Sequence, residues 1–262
     1  MLRHRILTAV WGIPLVLATA WVGGGVFLAL LAAVQLLALV EGLRLARRWG
    51  LRPLPWPVLG GGLALPLGLY YGQGYGAALI LSALLVAHLA ACVWYYPDYR
   101  PPDAAGGFFL SCYAALLFYL YLLRSLPAGF NWVLLVLFST WAADTAAYFT
   151  GRLVGRRPLV AGLSPGKTVE GAVGGILAAT TVAGLVGYLV HSPHILAPVG
   201  LAVGLAAQIG DLVESALKRH AGLKDSGGLL AGHGGILDRF DSLLFSAPLV
   251  YYLVDLVYTR LR

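Results

Sequence analysis

Apolar residues run along this chain in long stretches broken by short polar segments, and nine such stretches fall near residues 5–22, 24–46, 54–71, 75–95, 105–123, 130–150, 170–190, 194–212 and 242–259. A helix crosses a bilayer with roughly 20 consecutive apolar residues, so the pattern predicts an all-α fold: a polytopic membrane helix bundle of about nine transmembrane helices. Composition agrees. The 262 residues are 60% hydrophobic and 11% charged, with a mean hydropathy of +0.82, whereas a soluble domain carries about 25% charged residues. A soluble fold could not hide that much apolar surface.

The start of the chain, with Arg3, His4 and Arg5 before an apolar run and Ala18-Thr19-Ala20 after it, has the layout of a secretory signal. Further apolar runs follow at once, and it reads better as a retained first span. Cys92 and Cys112 lie in separate runs with no CxxC or His/Cys cluster, so neither a disulfide framework nor a zinc site is expected.

Charge orients the bundle. With the N-terminus inside and nine spans, the inner segments hold 15 of the 18 basic residues and the outer ones three, Arg124, Arg260 and Arg262. This asymmetry predicts cytoplasmic central loops. The net charge of +7 follows from it and from attraction to anionic headgroups, without any nucleic acid. No internal repeat stands out, and the 34 glycines are spread through the spans, where small residues let helices approach closely. One integral membrane domain, 1–262, is expected, with N-terminal spans over 1–130 and spans carrying the chemistry over 131–262.

Polar chemistry collects in two blocks, residues 141–175 and 208–242, which hold seven of the eleven acids: Asp144, Glu170, Asp211, Glu214, Asp225, Asp238 and Asp241. Acids near membrane depth are costly and usually face a partner or a wet cavity. The three lysines of the chain, Lys167, Lys218 and Lys224, fall in the same blocks, while arginine serves elsewhere. A compact, flexible ammonium is what these blocks use. If the eighth span continues as a helix, Asp211, Glu214, Ser215 and Lys218 form one polar stripe, and Asp238 and Asp241 share a face. Oxygen-only ligands of this kind suit Mg²⁺ rather than zinc. Simple pairing of each acid with a neighbouring Arg or Lys is the competing reading for any one of them.

Gly227-Gly228 and Gly232-His233-Gly234-Gly235 supply backbone that can approach a phosphate. Preceded by Lys218, Arg219 and Lys224 and followed by Asp238-Arg239, they look like a triphosphate cradle. Ala161 to Thr168 resembles a P-loop lacking its first glycine, but no β-strand is expected before it and a membrane span follows. Lys167 at a helix N-terminus remains a suitable phosphate ligand. His88, His191, His194 and His220 have no clear polar partners and read as ordinary residues.

The run Ser215-x2-Lys218-Arg219-x4-Lys224-Asp225-x-Gly227-x5-His233-Gly234-Gly235-x2-Asp238-Arg239-x-Asp241 closely resembles the signature of the phosphatidate cytidylyltransferases. The upstream Asp144-Thr145-x2-Tyr148-x2-Gly151-Arg152 with Ser164-Pro165-x-Lys167-Thr168-x-Glu170-Gly171 is similar to the same family. Ala231 departs from it, standing where Pro or Gly is usual. The resemblance implies transfer of CMP from CTP to phosphatidic acid with release of pyrophosphate, a Mg²⁺ requirement with room for a second, monovalent cation, a homodimer, and a multi-pass protein of a bacterial-type inner (cytoplasmic) membrane with its active site facing the cytoplasm. On that basis Asp211 and Asp238 would hold the metal, and Asp241, Lys218 and Lys167 would complete the catalytic set. Ser164, Thr168, Ser215, Arg219, Lys224, His233, Gly234, Gly235, Arg239 and Asp144 would bind substrate, Asp144 having a structural reading beside Arg152 as well. A CDP-alcohol phosphotransferase would carry Asp-Gly-x2-Ala-Arg, which is missing here. A CTP-using lipid kinase would release CDP, and a transporter would release neither.

Overall fold

A computed structural model describes residues 2–71, 75–189, 193–223, 226–227 and 234–260. Each of the nine apolar runs is helical: α1 (Leu2–Val22), α2 (Gly24–Arg48), α3 (Pro55–Tyr71), α4 (Tyr75–Trp94), α5 (Pro101–Ala115) continued by a 3-10 turn and α6 (Tyr119–Ser125), α7 (Gly129–Val154), α8 (Val169–Leu189), α9 (Pro193–His220) and α10 (Leu237–Arg260). Among the described residues six helices are long and apolar enough to cross a membrane: α2, α4, the Pro101–Ser125 run, α7, α8 and α9. Among the described residues two short strands break the pattern, β1 (Pro158–Val160) and β2 (Ser164–Thr168), paired antiparallel between α7 and α8. An all-helical membrane fold follows from the chemistry of lipid, which offers backbone N–H and C=O groups no partner outside the segment.

Two compact units interleave in sequence, one made of 1–118 with 217–239, the other of 119–216 with 240–262. The first is built on α2. Leu39, Leu43 and Ala46 pack with Val58 of α3 and with Leu110 and Ala114 of α5. Gln35, buried in the same helix, is satisfied by donating to Gly62 O at 2.6 Å. α2 ends in a Schellman turn: Gly50 adopts φ +79°, and Gly50 and Leu51 N–H donate to Arg47 O and Ala46 O. The left-handed residue is a glycine because it has no Cβ to clash there.

The second unit is organised by the α7–α8 pair. A Cβ at Gly171 would lie 2.7 Å from Ala147 O, and one at Gly175 2.7 Å from Ala143 O. The small side chains thus let the two backbones touch, the usual device for packing helices where lipid removes the hydrophobic drive. The β1–β2 hairpin joins these helices and holds the first polar block at their end.

Candidate active site

In the second unit four elements bring acids and a lysine together. α7 carries Asp144, Tyr148 and Arg152 on one face by helical spacing; α9 carries Gln208 and Asp211, and α10 carries Asp241 and Ser242. The hairpin supplies Lys167, whose Nζ lies 2.6 Å from Asp211 Oδ2. Asp144 accepts a hydrogen bond from the Ser242 hydroxyl and interacts electrostatically with Asp211, Asp241 and Lys167. Asp144, Tyr148, Arg152, Lys167, Gln208 and Asp211 line a cavity of about 520 Å³. Its wall mixes cations, carboxylates and an aromatic ring, a surface suited to a charged ligand with an apolar part.

Local bonds explain why the hairpin stands where it does. Thr168 Oγ1 accepts from Gly171 N–H at 3.1 Å and so caps α8, the ordinary role of a threonine before a helix. The Glu170 carboxylate accepts from Arg156 N–H (3.0 Å), Arg157 N–H (3.2 Å) and Arg157 Nε–H (3.1 Å), clamping the end of the α7 connection to the start of α8. A strand does precede the Ser164–Thr168 segment, against expectation. It pairs with that segment itself. A P-loop is instead a free loop between a strand and a helix, so the likeness stops at the sequence, while Lys167 keeps its place at the head of α8.

In the first unit the 217–239 part of the second polar block forms a cluster around Asp238. Its Oδ1 receives Lys218 Nζ at 2.5 Å, and its Oδ2 receives Gly235 N–H (2.7 Å), Ser226 Oγ–H (2.8 Å) and Ser226 N–H (2.9 Å). Lys218 sits in the last turn of α9 and Asp238 in the first turn of α10, the ends at which each charge suits the helix dipole. α9 stops in a Schellman turn, with Gly222 at φ +68° and Gly222 and Leu223 N–H donating to Arg219 O and Lys218 O. Trp49 Nε1 donates to Leu217 O at 3.1 Å and its ring lies 6.2 Å from that of His220, tying α2 to the same helix end.

A residue that the motifs do not contain completes this cluster. Glu41 of α2 is fully buried, and its Oε2 accepts from Leu237 N–H at 3.0 Å, with Ser226 Oγ at 3.5 Å. Gln208, whose Nε2 donates to Ala172 O at 2.8 Å, is a second polar residue outside the motif reading. The signal available for both was a polar side chain inside an apolar run.

Of the predicted site residues, Asp144, Lys167, Asp211 and Asp241 are brought together in one unit, and Lys218, Asp238 and Gly235 in the other. Gly234, at φ +78°, and buried Gly235 lead into α10. Ser164 lies half-buried in β2 and Ser215 half-buried on α9. Arg219 and Arg239 are exposed, Arg219 donating to Leu223 O at 3.4 Å within its own turn. Thr168 is a cap. Lys224 and His233 lie outside the described residues. Among the described residues no three His, Cys, Asp or Glu side chains form a ready-made metal cage. Mg²⁺ seldom needs one, since one or two carboxylates with water and substrate phosphates suffice; the carboxylate oxygens of Asp144, Asp211 and Asp241 in one unit, and separately those of Asp238 in the other, are of the kind that suits a hard cation.

Comparison with known proteins points one way. The profile of the cytidylyltransferase family matches residues 3–257. The chain is 33% identical over 98% of both chains to a phosphatidate cytidylyltransferase of Synechocystis sp., and 37% identical to that of Brucella melitensis biotype 1 over 95% of this chain and 92% of the relative. With the Bacillus subtilis phosphatidate cytidylyltransferase the match spans about half of either chain, 131 residues at 45% identity. The chain therefore belongs to the cytidylyltransferase family.

Proposed function

We propose that the protein is a phosphatidate cytidylyltransferase, converting CTP and phosphatidic acid to CDP-diacylglycerol and pyrophosphate. The observation that carries the reading is the near full-length likeness to relatives of that name. The site chemistry agrees with it. Two lysine–carboxylate pairs, Lys167–Asp211 and Lys218–Asp238, offer the residue types this chemistry calls for: cations to neutralise phosphates and acids to bind a divalent ion.

The attacking group is an oxygen of the lipid phosphate, whose second pKa near 6 leaves it largely ionised at pH 7. No strong general base is called for. That oxygen bonds to the α-phosphorus of CTP as the bond from it to the bridging oxygen of the β-phosphate breaks, and pyrophosphate leaves. The protein's part is positioning and charge neutralisation. Lys167, Arg152 and Tyr148 face the cavity and would bind phosphate and headgroup oxygens, while Lys218 and Arg239 would serve the departing phosphates. Asp211 of one unit and Asp238 of the other are the acids proposed as metal ligands, and Mg²⁺, when bound, would supply charge stabilisation to the phosphates. A second, monovalent cation and a homodimer belong to the same proposal. So does a location in a bacterial-type inner membrane with the site facing the cytoplasm, which the 15-to-three excess of basic residues in the inner segments supports.

The test is pyrophosphate release by detergent-purified protein given phosphatidic acid, CTP and Mg²⁺, each omitted in turn. Release that needs all three, with CDP-diacylglycerol formed, is expected. CDP as the product would mean a lipid kinase, and no release from folded protein would discard the reading.

A further inference from the structure

Glu41 is hard to explain as an ordinary resident of its helix. It stands in the apolar run of α2, is fully buried, and among the described residues its Oε1 has no hydrogen-bond partner. A buried polar atom left unsatisfied is costly, and leucine in that place would remove the cost. What the side chain does instead is reach both ends of the connection between α9 and α10. Its Oε2 accepts from Leu237 N–H at the start of α10 and lies 3.5 Å from Ser226 Oγ at the end of the α9 turn. The backbone is shaped around it. A Cβ on Gly227 would stand 2.7 Å from Oε1, and one on Gly235 would overlap Ser226 Oγ and meet Glu41 Oε2 at 2.5 Å. Only glycine at these two positions lets the carboxyl sit against the main chain.

Two of the groups fixed in this way, Ser226 and Gly235, are donors to Asp238. Ser226 Oγ lies between the two acids, 2.8 Å from Asp238 Oδ2 and 3.5 Å from Glu41 Oε2. We propose that Glu41 is a positioning residue: it braces Ser226, Gly235 and Leu237 from α2 and thereby sets the orientation of the Asp238 carboxylate. The proposal rests on the reading of Asp238 as part of the catalytic site. Its structural half, the bracing, does not.

The decisive variant is Glu41→Leu, which keeps the bulk and removes both acceptors, leaving the buried Leu237 N–H without its partner. It is expected to fold, with a melting temperature lowered no more than in Gln35→Leu, and to lose activity by about 10- to 100-fold, the range for groups that orient a ligand. Its half-saturating Mg²⁺ concentration should rise. Amide hydrogen exchange in peptides covering 234–240 should speed up while peptides of α7 and α8 stay as in the parent. Glu41→Gln, which keeps an acceptor for Leu237 N–H, should recover most of the activity and protection. Gln35→Leu, two turns away on the same helix and bonded to Gly62 instead, should lower stability without altering the Mg²⁺ dependence. Parental activity and exchange in Glu41→Leu would overturn the proposal, and so would failure of that variant to fold, which would make Glu41 a stability residue. If the parent released no pyrophosphate, the exchange data would still decide the bracing, so loss of the catalytic reading and loss of this one are separable.

Discussion

Asp211 and Asp238 are each paired with a lysine, but water reaches them unequally. The Lys167 and Asp211 side chains are 25% and 36% exposed, those of Lys218 and Asp238 14% and 9%. Lys167 Nζ is itself shielded from water, but the Asp211 carboxylate is partly solvated and Asp144 also interacts with Lys167, whereas breaking a mostly buried pair is costly. Asp211→Asn is therefore expected to lower activity by at least about 100-fold, as loss of a charge aimed at the reacting group does, with a smaller drop in melting temperature than the same change at Asp238. Asp238→Asn should lose the same activity and melt earlier as well, because it weakens the Lys218 pair. Thermal unfolding in detergent beside the pyrophosphate assay distinguishes the two; a fully active, folded variant at either position would remove that acid from the site. Both acids were legible from the sequence as members of a dense polar block. Glu41 was not. A lone acid in an apolar run signals that it must face something, but its partners Ser226 and Leu237 lie 185 and 196 positions away, and nothing in the local pattern points to them.

At the level of elements, hydropathy located all nine helical runs, because each is long and needs only its own residues to satisfy its backbone. It could not show where α9 ends. The apolar run stops near residue 212, yet the helix continues to His220, with Asp211 paired to Lys167 and Lys218 to Asp238. The 3-10 turn at Leu116–Phe118 and the β1–β2 hairpin also escaped, since neither changes the hydropathy. The α7–α8 contact makes a prediction of its own. Gly171→Leu should destabilise the protein by about 1–3 kcal/mol, the usual cost of overfilling a tight interface, since a Cβ there already meets Ala147 O at 2.7 Å. Gly162→Ala, where nothing lies within 4 Å, should leave the melting temperature where it was.

Across the whole molecule the two polar blocks do not map one to one onto the two units. The first block lies in one unit, and the second is cut at 216/217 and again at 239/240. Hydropathy reveals which segments leave water but not which of them pack together. The charge asymmetry does carry a global expectation. With Cys92 and Cys112 replaced by serine, Arg156→Cys, exposed beside the hairpin, should react with a membrane-impermeant maleimide in inverted vesicles and not in intact cells; labelling from outside would reverse the assigned orientation. The long separation between Glu41 and its partners has a consequence for how such a chain is made. Synthesis runs from the N-terminus at about 5–20 residues per second, so α2 emerges well before Ser226 and Leu237 exist. During that interval the bilayer or the insertion machinery must house an acid still lacking those contacts. Closure of this cluster thus waits in biogenesis until the chain has been made through Leu237.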